Sequence, residues 1–352
     1  MECSSKTIKI AGGGVAGLTA AINLKMAGFN PIVYENEEHI GASRHGDYEG
    51  LENWIYPQSM PTFLINAGFD FTKITTYPVS QFYIHTLKTE PLLVQNNRPF
   101  FYMVSRGHRF NDFDNQLFNQ CQNRGVQFKF GKEAPGNCHI RATGSKKAAA
   151  YIQGINFQTK LKDQVHLLLG QKFAPKGYAY LIIIKGKGTL ATAYKKIKNS
   201  DINPLENARE YFEAKGISIN DGKLFGSRGS FSLPFGPWRN PYYIGEAGGF
   251  QDYLFGFGMR MSMMSGQVAA LSILGKKIEA RTLLKVLNRK RRLSFVNRIL
   301  YERLNDLQMA EFAKKFSKTI DPLSMLTGAY AWNFKNVFRW IKIGNRYEVH
   351  ST

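Results

Sequence analysis

The chain has few cysteines, a small share of acidic residues and no long apolar run. Its cysteines, Cys3, Cys121 and Cys138, are too few for a disulfide framework and are not spaced as Cys-x-x-Cys, which is typical of proteins in a reducing compartment. The most apolar stretch, residues 178–184, is too short to cross a bilayer. The N-terminal residues lack the basic and apolar parts of a secretory signal. We therefore expect a cytoplasmic protein, free or membrane-associated, that does not span a bilayer.

Acidic residues are outnumbered by basic ones along the 352 residues. There are 26 Asp or Glu against 47 Lys or Arg, so the formal net charge is +21. A surplus of this size favours an anionic partner, such as a phosphate-bearing cofactor, a nucleic acid or an anionic membrane surface. No recognised nucleic-acid-binding module accompanies the charge, which argues against a nucleic acid. The seven histidines and three cysteines show no metal-ligand spacing, so no metal site is predicted.

The N-terminal residues form a nucleotide-binding pattern. A strand-like run, residues 7–11, leads into Gly12-x-Gly14-x-x-Gly17, a helical segment and a second strand-like run that ends at Glu35. In such a unit the first glycine allows a tight turn, the second lets a pyrophosphate approach the backbone, and the third lets helix and strand pack closely. The helix N-terminus attracts phosphates, and the acidic residue accepts hydrogen bonds from ribose hydroxyls. The predicted cofactor-binding residues of this unit are Gly12, Gly14, Val15, Ala16, Gly17 and Glu35.

The rest of the chain alternates between strand and helix patterns. Residues 72–104 alternate apolar and polar positions with proline breaks, as antiparallel strands do. Later strands are predicted at 126–130, 151–159, 164–169, 178–185 and 189–194, and helices at 113–124 and 204–215. Residues 242–275 return to a strand, a glycine-rich turn and an apolar helix, and from 276 onward the pattern is helical and basic.

Four stretches carry motifs in the order found in one known family. They are Arg106-Gly107 before Phe113-Asp114, Leu117, Cys121 and Gly125; Ala142-Thr143-Gly144; Gly177-Tyr178-Ala179-Tyr180; and residues 244–270, with Gly245-Glu246-Ala247-Gly248-Gly249, Gly256-Phe257-Gly258-Met259 and Ser265-Gly266. Together they resemble the geranylgeranyl reductase family of FAD-dependent oxidoreductases, within the p-hydroxybenzoate-hydroxylase-like flavoprotein superfamily. The resemblance covers residues 7–275. Glu246 and Thr143 depart from it, because the family usually has Asp at both places.

The resemblance implies an α/β fold with a Rossmann-type FAD-binding domain, an inserted antiparallel-sheet substrate domain and a helical C-terminal extension. The expected segments are 1–71, 105–150 and 226–275 for the FAD-binding domain, 72–104 and 151–225 for the substrate domain, and 276–352 for the basic extension. The resemblance also adds cofactor-binding residues, namely Arg44, Arg106, Gly144, Gly245, Glu246, Gly256, Gly258 and Met259. Independently of the family, the glycines at 256 and 258 open an apolar helix whose N-terminus suits the side of a flavin where negative charge grows.

The implied activity is hydride transfer from reduced FAD to the C=C bonds of an isoprenoid or other apolar substrate. No second dinucleotide motif is present, so NAD(P)H as electron donor would bind transiently, or another donor would replace it. Residues 42–54 are dense in titratable groups, and His45 and Asp47 are the candidate catalytic residues if this loop runs beside the flavin; a plain surface loop is the alternative. Two other functions stay open: a monooxygenase of an aromatic or polyketide substrate, and a redox-neutral FAD-binding protein that docks on a membrane or partner.

The last fifth of the chain carries about half of the net charge. Residues 276–352 hold 17 Lys or Arg against 6 Asp or Glu. Near the end a basic and apolar set recurs at helical spacing: Lys335, Arg339, Lys342 and Arg346, with Tyr330, Phe334, Val337 and Ile341 beside them. Such a stripe favours a helix lying at an anionic membrane interface. A solvated helix packed on the FAD-binding domain is the alternative, and the sequence leaves both open.

Overall fold

The computed structural model describes residues 6–144, 150–195, 202–229 and 237–344. A parallel sheet contains the N-terminal unit, and its strands are β1 (Thr7–Ala11), β2 (Asn30–Tyr34), β8 (Gln127–Lys129), β9 (Ile140–Arg141) and β15 (Tyr242–Tyr243). Their order is β15-β9-β1-β2-β8, and every pairing is parallel. The carboxyl ends of these strands therefore meet at one edge of the sheet, where ligands of such folds bind.

Two helices cross closely beside this sheet. They are α1 (Val15–Met26) and α5 (Met259–Ile273), which are packed against each other. A Cβ atom on Gly266 would lie 2.4 Å from the carbonyl oxygen of Ala16, so this crossing requires a glycine. A third helix, α3 (Phe113–Asn123), packs on α1 and ends at the predicted place.

A seven-stranded sheet is antiparallel except where β11 (Gln164–Leu169) pairs with β5 (Gln81–Thr86). Its strands are β5 (Gln81–Thr86), β6 (Thr89–Gln95), β10 (Ala150–Gln158), β11 (Gln164–Leu169), β12 (Tyr178–Ile184), β13 (Lys187–Tyr194) and β14 (Lys223–Gly229). The order is β14-β10-β13-β12-β11-β5-β6. One face packs under α4 (Pro204–Glu213), through a core that includes Leu181 and Phe212. A smaller antiparallel sheet has the strands β3 (Tyr48–Glu52), β7 (Phe101–Ser105) and β4 (Tyr77–Val79), in that order.

The C-terminal region is helical. Its helices are α6 (Lys277–Tyr301), α7 (Asp306–Ser317), α8 (Pro322–Ala329), α9 (Phe334–Arg339) and the π-helical turn Trp340–Gly344. The remaining helix, α2 (Met60–Asn66), lies much earlier in the chain. Short 3-10 turns occupy Phe71–Lys73 and Gly245–Gly248. Helix α6 packs on α5, whereas α7 packs on β5, β6 and β11 of the seven-stranded sheet. Among the described residues, no helix combines the length and apolar character that crossing a bilayer requires.

The structure confirms the predicted fold class, with a Rossmann-type parallel sheet, antiparallel sheets and a helical C-terminal region. The strands and helices predicted between residues 113 and 215 are present, and their ends agree to within about two residues, which is the usual uncertainty of such boundaries. Residues 72–104 are shared between two sheets, because β4 and β7 join β3 whereas β5 and β6 join the larger sheet. The predicted domain boundaries remain predictions.

Candidate active site

A cavity of about 750 Å³ lies between the parallel sheet, the seven-stranded sheet and the C-terminal helices. One end is lined by Gly12–Ala16 and by the residues that follow β2. The other end is lined by side chains of β5, β11, β12, α7 and α8. This volume is in the range of cofactor and ligand sites. The cavity joins the predicted nucleotide site to an apolar chamber.

The three glycines of the N-terminal motif have different surroundings. Gly12 has a φ of +97°, and a Cβ there would lie 2.3 Å from the carbonyl oxygen of Ala142. A Cβ on Gly17 would lie 2.0 Å from the carbonyl oxygen of Gly12, so both glycines are needed for packing. Gly14 lines the cavity at the start of α1, and a Cβ there would meet no atom within 4 Å. This open cradle beside free helical N–H groups fits a pyrophosphate.

Glu35 lies at the end of β2, as the pattern predicts, and lines the cavity. Its Oε2 accepts a hydrogen bond from the Gly13 N–H at 2.8 Å, and its Oε1 accepts one from the Glu37 N–H at 3.1 Å. These bonds hold the carboxylate beside the glycine turn and leave lone pairs for ribose hydroxyls. Gly144, which follows β9, also lines this end and has a φ of +66°.

The residues around the start of α5 converge on the same cavity. Gly245 has a φ of +60°, and a Cβ on it would lie 3.0 Å from the Ala16 Cβ, so the second glycine-rich turn packs directly on α1. Gly258 is the N-cap residue of α5. The predicted residues that line the cavity here are Val15, Ala16, Gly245, Glu246, Gly256, Gly258 and Met259. Two sequence segments more than 200 residues apart thus form one cradle, and it fits FAD.

Arg106 is fixed by two carboxylates at the cavity wall. It is 2% exposed, and its Nε and Nη2 donate to the two Asp114 oxygens at 2.8 Å each. Its Nη1 pairs with Glu49, which also accepts from Arg44 at 3.4 Å. Burial by itself raises the pKa of the Asp114 carboxyl, but the pairing with Arg106 outweighs it and lowers the pKa. Arg44 and Arg106 both line the cavity, and their contact with a cofactor remains a prediction.

The candidate catalytic residues His45 and Asp47 are not among the residues that line the cavity. His45 is exposed; its Nε2 lies 3.1 Å from the carbonyl oxygen of Gly226, and its ring stacks on Phe225 with 5.5 Å between centroids. Asp47 is buried, and burial followed by the charge of Glu49 raises its pKa. Their positions therefore argue against direct proton transfer to a substrate. The sequence shows which residues the loop contains but not which side of the loop faces the cavity.

The far end of the cavity is an apolar chamber, as expected for an apolar substrate, but the sequence did not predict that C-terminal helices form part of its wall. Its lining residues come from three strands and two C-terminal helices: Phe82, Ile84, Val165, Leu167, Leu169, Ile182, Met309, Phe312, Phe316, Met325 and Leu326. Trp54, Phe101 and Phe257 form an aromatic cluster in the same wall, with Trp54 and Phe257 centroids 5.0 Å apart. The apolar run of β12 indicates one wall. No local signal assigns α7 and α8 to the site, because their contacts are long-range.

Two tyrosines of β12 line the cavity but differ in their hydrogen bonds. The Tyr178 hydroxyl donates to the carbonyl oxygen of Phe255. The Tyr180 hydroxyl has no hydrogen-bond partner among the described residues. Burial raises the pKa of Tyr180 well above its usual value, so its phenol stays protonated. Tyr180 is thus a free hydrogen-bond donor in the cavity wall.

The predicted C-terminal stripe is partly wrong. Tyr330 is fully buried, and its hydroxyl donates to Asp252 Oδ1 at 2.7 Å, so it belongs to the interior rather than to a surface stripe. Phe334 and Ile341 are exposed. Arg346 lies outside the described residues. The register of the stripe was inferred from spacing alone, and the turn between α8 and α9 breaks that register.

Residues 15–179 match the family model described as flavin containing amine oxidoreductase. No curated protein matches the chain at a significant level. Among solved structures, a geranylgeranyl bacteriochlorophyll reductase-like protein from Thermoplasma acidophilum has a TM-score of 0.68 to this chain at 18% identity, covering 96% of this chain and 99% of its own.

Two further structures share the fold. A flavin-dependent brominase has a TM-score of 0.65 at 15% identity, covering 98% of this chain and 100% of its own. A p-nitrophenol 4-monooxygenase from Pseudomonas putida has a TM-score of 0.61 at 11% identity, covering 92% of this chain and 98% of its own. Such distant likeness establishes the fold and leaves the substrate open. The chain therefore has the fold that its resemblance to geranylgeranyl reductases predicts, and residues 15–179 match a family model of flavin-containing oxidoreductases.

Proposed function

We propose that this protein reduces carbon–carbon double bonds of an isoprenoid or a similarly apolar substrate. The observation that carries the proposal is the continuity of the cavity, which runs from the glycine cradle of α1 and α5 to the apolar chamber under α7 and α8. Bound FAD supplies the hydride for such a reduction. The chain itself binds the cofactor, excludes water and orients the substrate.

The chamber favours an uncharged substrate because its few charged groups are already paired within the protein. Asp252 accepts hydrogen bonds from Ser294 Oγ and the Tyr330 hydroxyl at Oδ1, and from the Phe255 N–H at Oδ2. The remaining wall is largely aliphatic and aromatic. Burial of a hydrocarbon chain there gains about 0.8 kcal/mol for each methylene.

Tyr180 is the residue that we propose as the proton donor for the second carbon of the double bond. It replaces His45 and Asp47 in this role, since it lines the cavity and its hydroxyl has no partner among the described residues. Burial raises the pKa of Tyr180, so its phenol stays protonated and holds a proton at the cavity wall. Electrons are proposed to come from NAD(P)H that binds transiently.

Anaerobic reoxidation tests the proposed function. The purified protein is reduced by light without oxygen and mixed with a polyisoprenoid alcohol or with its saturated analogue. We expect the visible flavin absorbance to return with the alkene alone, and denaturation to release the yellow cofactor into solution. Reoxidation that requires O₂ together with an aromatic substrate would identify a monooxygenase. If neither the alkene nor the aromatic substrate with O₂ restores the flavin absorbance, the protein is a redox-neutral FAD-binding protein.

A further inference from the structure

The last described helical segment exposes large apolar side chains to water. Helix α9 continues into the π-helical turn, and along it Phe334 is 89% exposed, Phe338 57% and Ile341 56%. Spacings of four and three residues place these side chains on one face of the segment. Contiguous apolar patches of this kind mark interaction sites, because a monomeric protein gains nothing by exposing them.

The opposite face of the segment is fixed to the protein. Trp340 is 6% exposed and packs in a core with Tyr253 and Phe295. The Asn336 side-chain amide donates to the carbonyl oxygens of Gly328 at 3.1 Å and Ala331 at 2.8 Å. The helix is therefore anchored by one side, and its exposed apolar side chains cannot turn inward without the loss of these contacts.

The exposed face is also basic. Lys335 and Lys342 are exposed beside the apolar residues, and the sequence has no acidic residue from 322 to 347. Elsewhere in the C-terminal region, α7 exposes Lys314 and Lys315 together with Glu311, and Lys318 is exposed just after the helix ends. Large apolar side chains flanked by cations are complementary to an anionic bilayer, where the former enter the acyl boundary and the latter meet the headgroups.

We propose that Phe334, Lys335, Phe338, Ile341 and Lys342, here called the α9 surface, dock the protein on an anionic membrane. None of these residues lines the cavity, so the proposal does not depend on the redox chemistry. It nevertheless suits an apolar substrate, because Phe312 on α7 lines the chamber and is itself 39% exposed.

Co-sedimentation of the full chain with vesicles tests the α9 surface. Vesicles of phosphatidylcholine alone are compared with vesicles that also contain phosphatidylglycerol, at low and high salt. The wild type is expected to sediment with the anionic vesicles. Lys335→Ala with Lys342→Ala should weaken this binding about 30-fold at low salt, because each basic residue near such a surface contributes about a factor of five. High salt should reduce the difference in binding to anionic vesicles between the variant and the wild type.

A second variant tests the apolar contribution. Phe334→Ser with Phe338→Ser and Ile341→Ser should weaken binding at least tenfold at both salt concentrations, because insertion of apolar side chains is not screened. The matched controls replace exposed side chains elsewhere: Phe110→Ser with Leu224→Ser, and Lys160→Ala with Lys162→Ala. These controls should bind as the wild type does.

Three results would overturn the proposal. The first is wild-type protein that sediments with neither kind of vesicle. The second is equal loss of binding in the control variants, which would assign the binding to overall charge. The third is a dimer in solution that the triple serine variant separates into monomers, which would assign the surface to a second copy of the chain. Flavin absorbance shows whether each variant is folded. If the serine variant is not folded, the binding measured for the lysine variant decides the test.

Discussion

At the scale of single residues, the glycines of the N-terminal motif serve two separate purposes. Gly12 and Gly17 allow close packing of backbone, since a Cβ on either would collide with a carbonyl oxygen. Gly14 has extended backbone that any residue adopts, and a Cβ there would meet open space. Packing therefore does not require the glycine at position 14, and ligand binding is the remaining physical reason for it.

Gly14→Val is expected to abolish FAD binding without unfolding the protein. The branched side chain would occupy the cradle in which a pyrophosphate meets the N–H groups of α1. The measurements are flavin content and the melting temperature of the cofactor-free protein, and the second should stay within a few degrees of wild type. Gly17→Val is the matched control, and it should fail to fold because its Cβ would lie 2.0 Å from a carbonyl oxygen. Full flavin occupancy in Gly14→Val would contradict the assignment.

Tyr180→Phe is expected to slow substrate reduction and to spare cofactor binding. Removal of a general acid typically costs between about 10² and 10⁴ in rate. The variant should also lose the solvent deuterium isotope effect on kcat, which a packing defect would not remove. Tyr178→Phe is the control, because the Tyr178 hydroxyl is already bonded to the carbonyl oxygen of Phe255. A Tyr180→Phe enzyme with an unchanged rate and isotope effect would move the proton source to another group or to water.

At the scale of secondary-structure elements, the crossing of α1 and α5 sets the geometry of the cofactor cradle. The cradle has one half on α1 and the other at the start of α5, so it exists only when these helices approach closely. Gly266 permits the approach, with the Ala16 carbonyl oxygen and the Ala20 nitrogen 2.4 and 3.0 Å from a Cβ built there. A residue that does not itself line the cavity thereby controls the geometry of the cavity.

Two Gly→Ala substitutions should have opposite effects on the free energy of unfolding. Gly266→Ala would overpack the crossing and should destabilise the protein by about 1–3 kcal/mol. Gly328 lies in α8 with no atom within 4 Å of a Cβ built there, so Gly328→Ala should stabilise by up to about 1 kcal/mol through helix propensity. Denaturant unfolding measures both. Equal effects of the two substitutions would contradict the tight crossing.

The stability of the whole molecule should depend on two buried histidines that join neighbouring strands. His85 Nε2 and His166 Nδ1 lie 2.8 Å apart across β5 and β11. Burial, and second the neighbouring His166, lower the pKa of His85 to about 3; burial lowers the pKa of His166 to about 4. Unfolded histidine titrates near 6.5, so the unfolded chain binds more protons below that pH. The free energy of unfolding therefore falls as the pH drops below about 6.5, and it continues to fall until the pH reaches the pKa values of the two histidines in the folded protein.

His85→Gln with His166→Gln should reduce the difference in unfolding free energy between pH 7 and pH 5 by a few kcal/mol. Urea unfolding at both pH values measures it. Glu52 affects the pH dependence of stability in the opposite direction. Burial raises its pKa to about 7, so its contribution to the free energy of unfolding is fully present below its unfolded pKa and is lost as the pH rises through 7. Glu52→Gln should accordingly steepen the fall on acidification. A histidine variant with the full acid sensitivity of wild type would contradict this account.

The sequence by itself determined the elements whose signals are local. The strand, glycine turn and helix from Thr7 to Met26 depend on neighbouring residues, as does the apolar run of β12, and both occur where they were predicted. The order of motifs along the chain was enough to predict the fold class and the cofactor cradle, because a resemblance is carried by residue types in sequence.

Only the tertiary structure decided which side chains face the cavity. It turned His45 away, buried Tyr330, and brought Met309 and Met325 of the C-terminal helices into the chamber. The helices α7 and α8 carry no mark of this in their own sequence, since an apolar helical face has the same pattern whether it covers a core or a ligand. The role of α7 follows from packing against strands more than 130 residues away in the chain, and α8 packs on α7; hydrophobic burial favours these contacts, but no local periodicity specifies them.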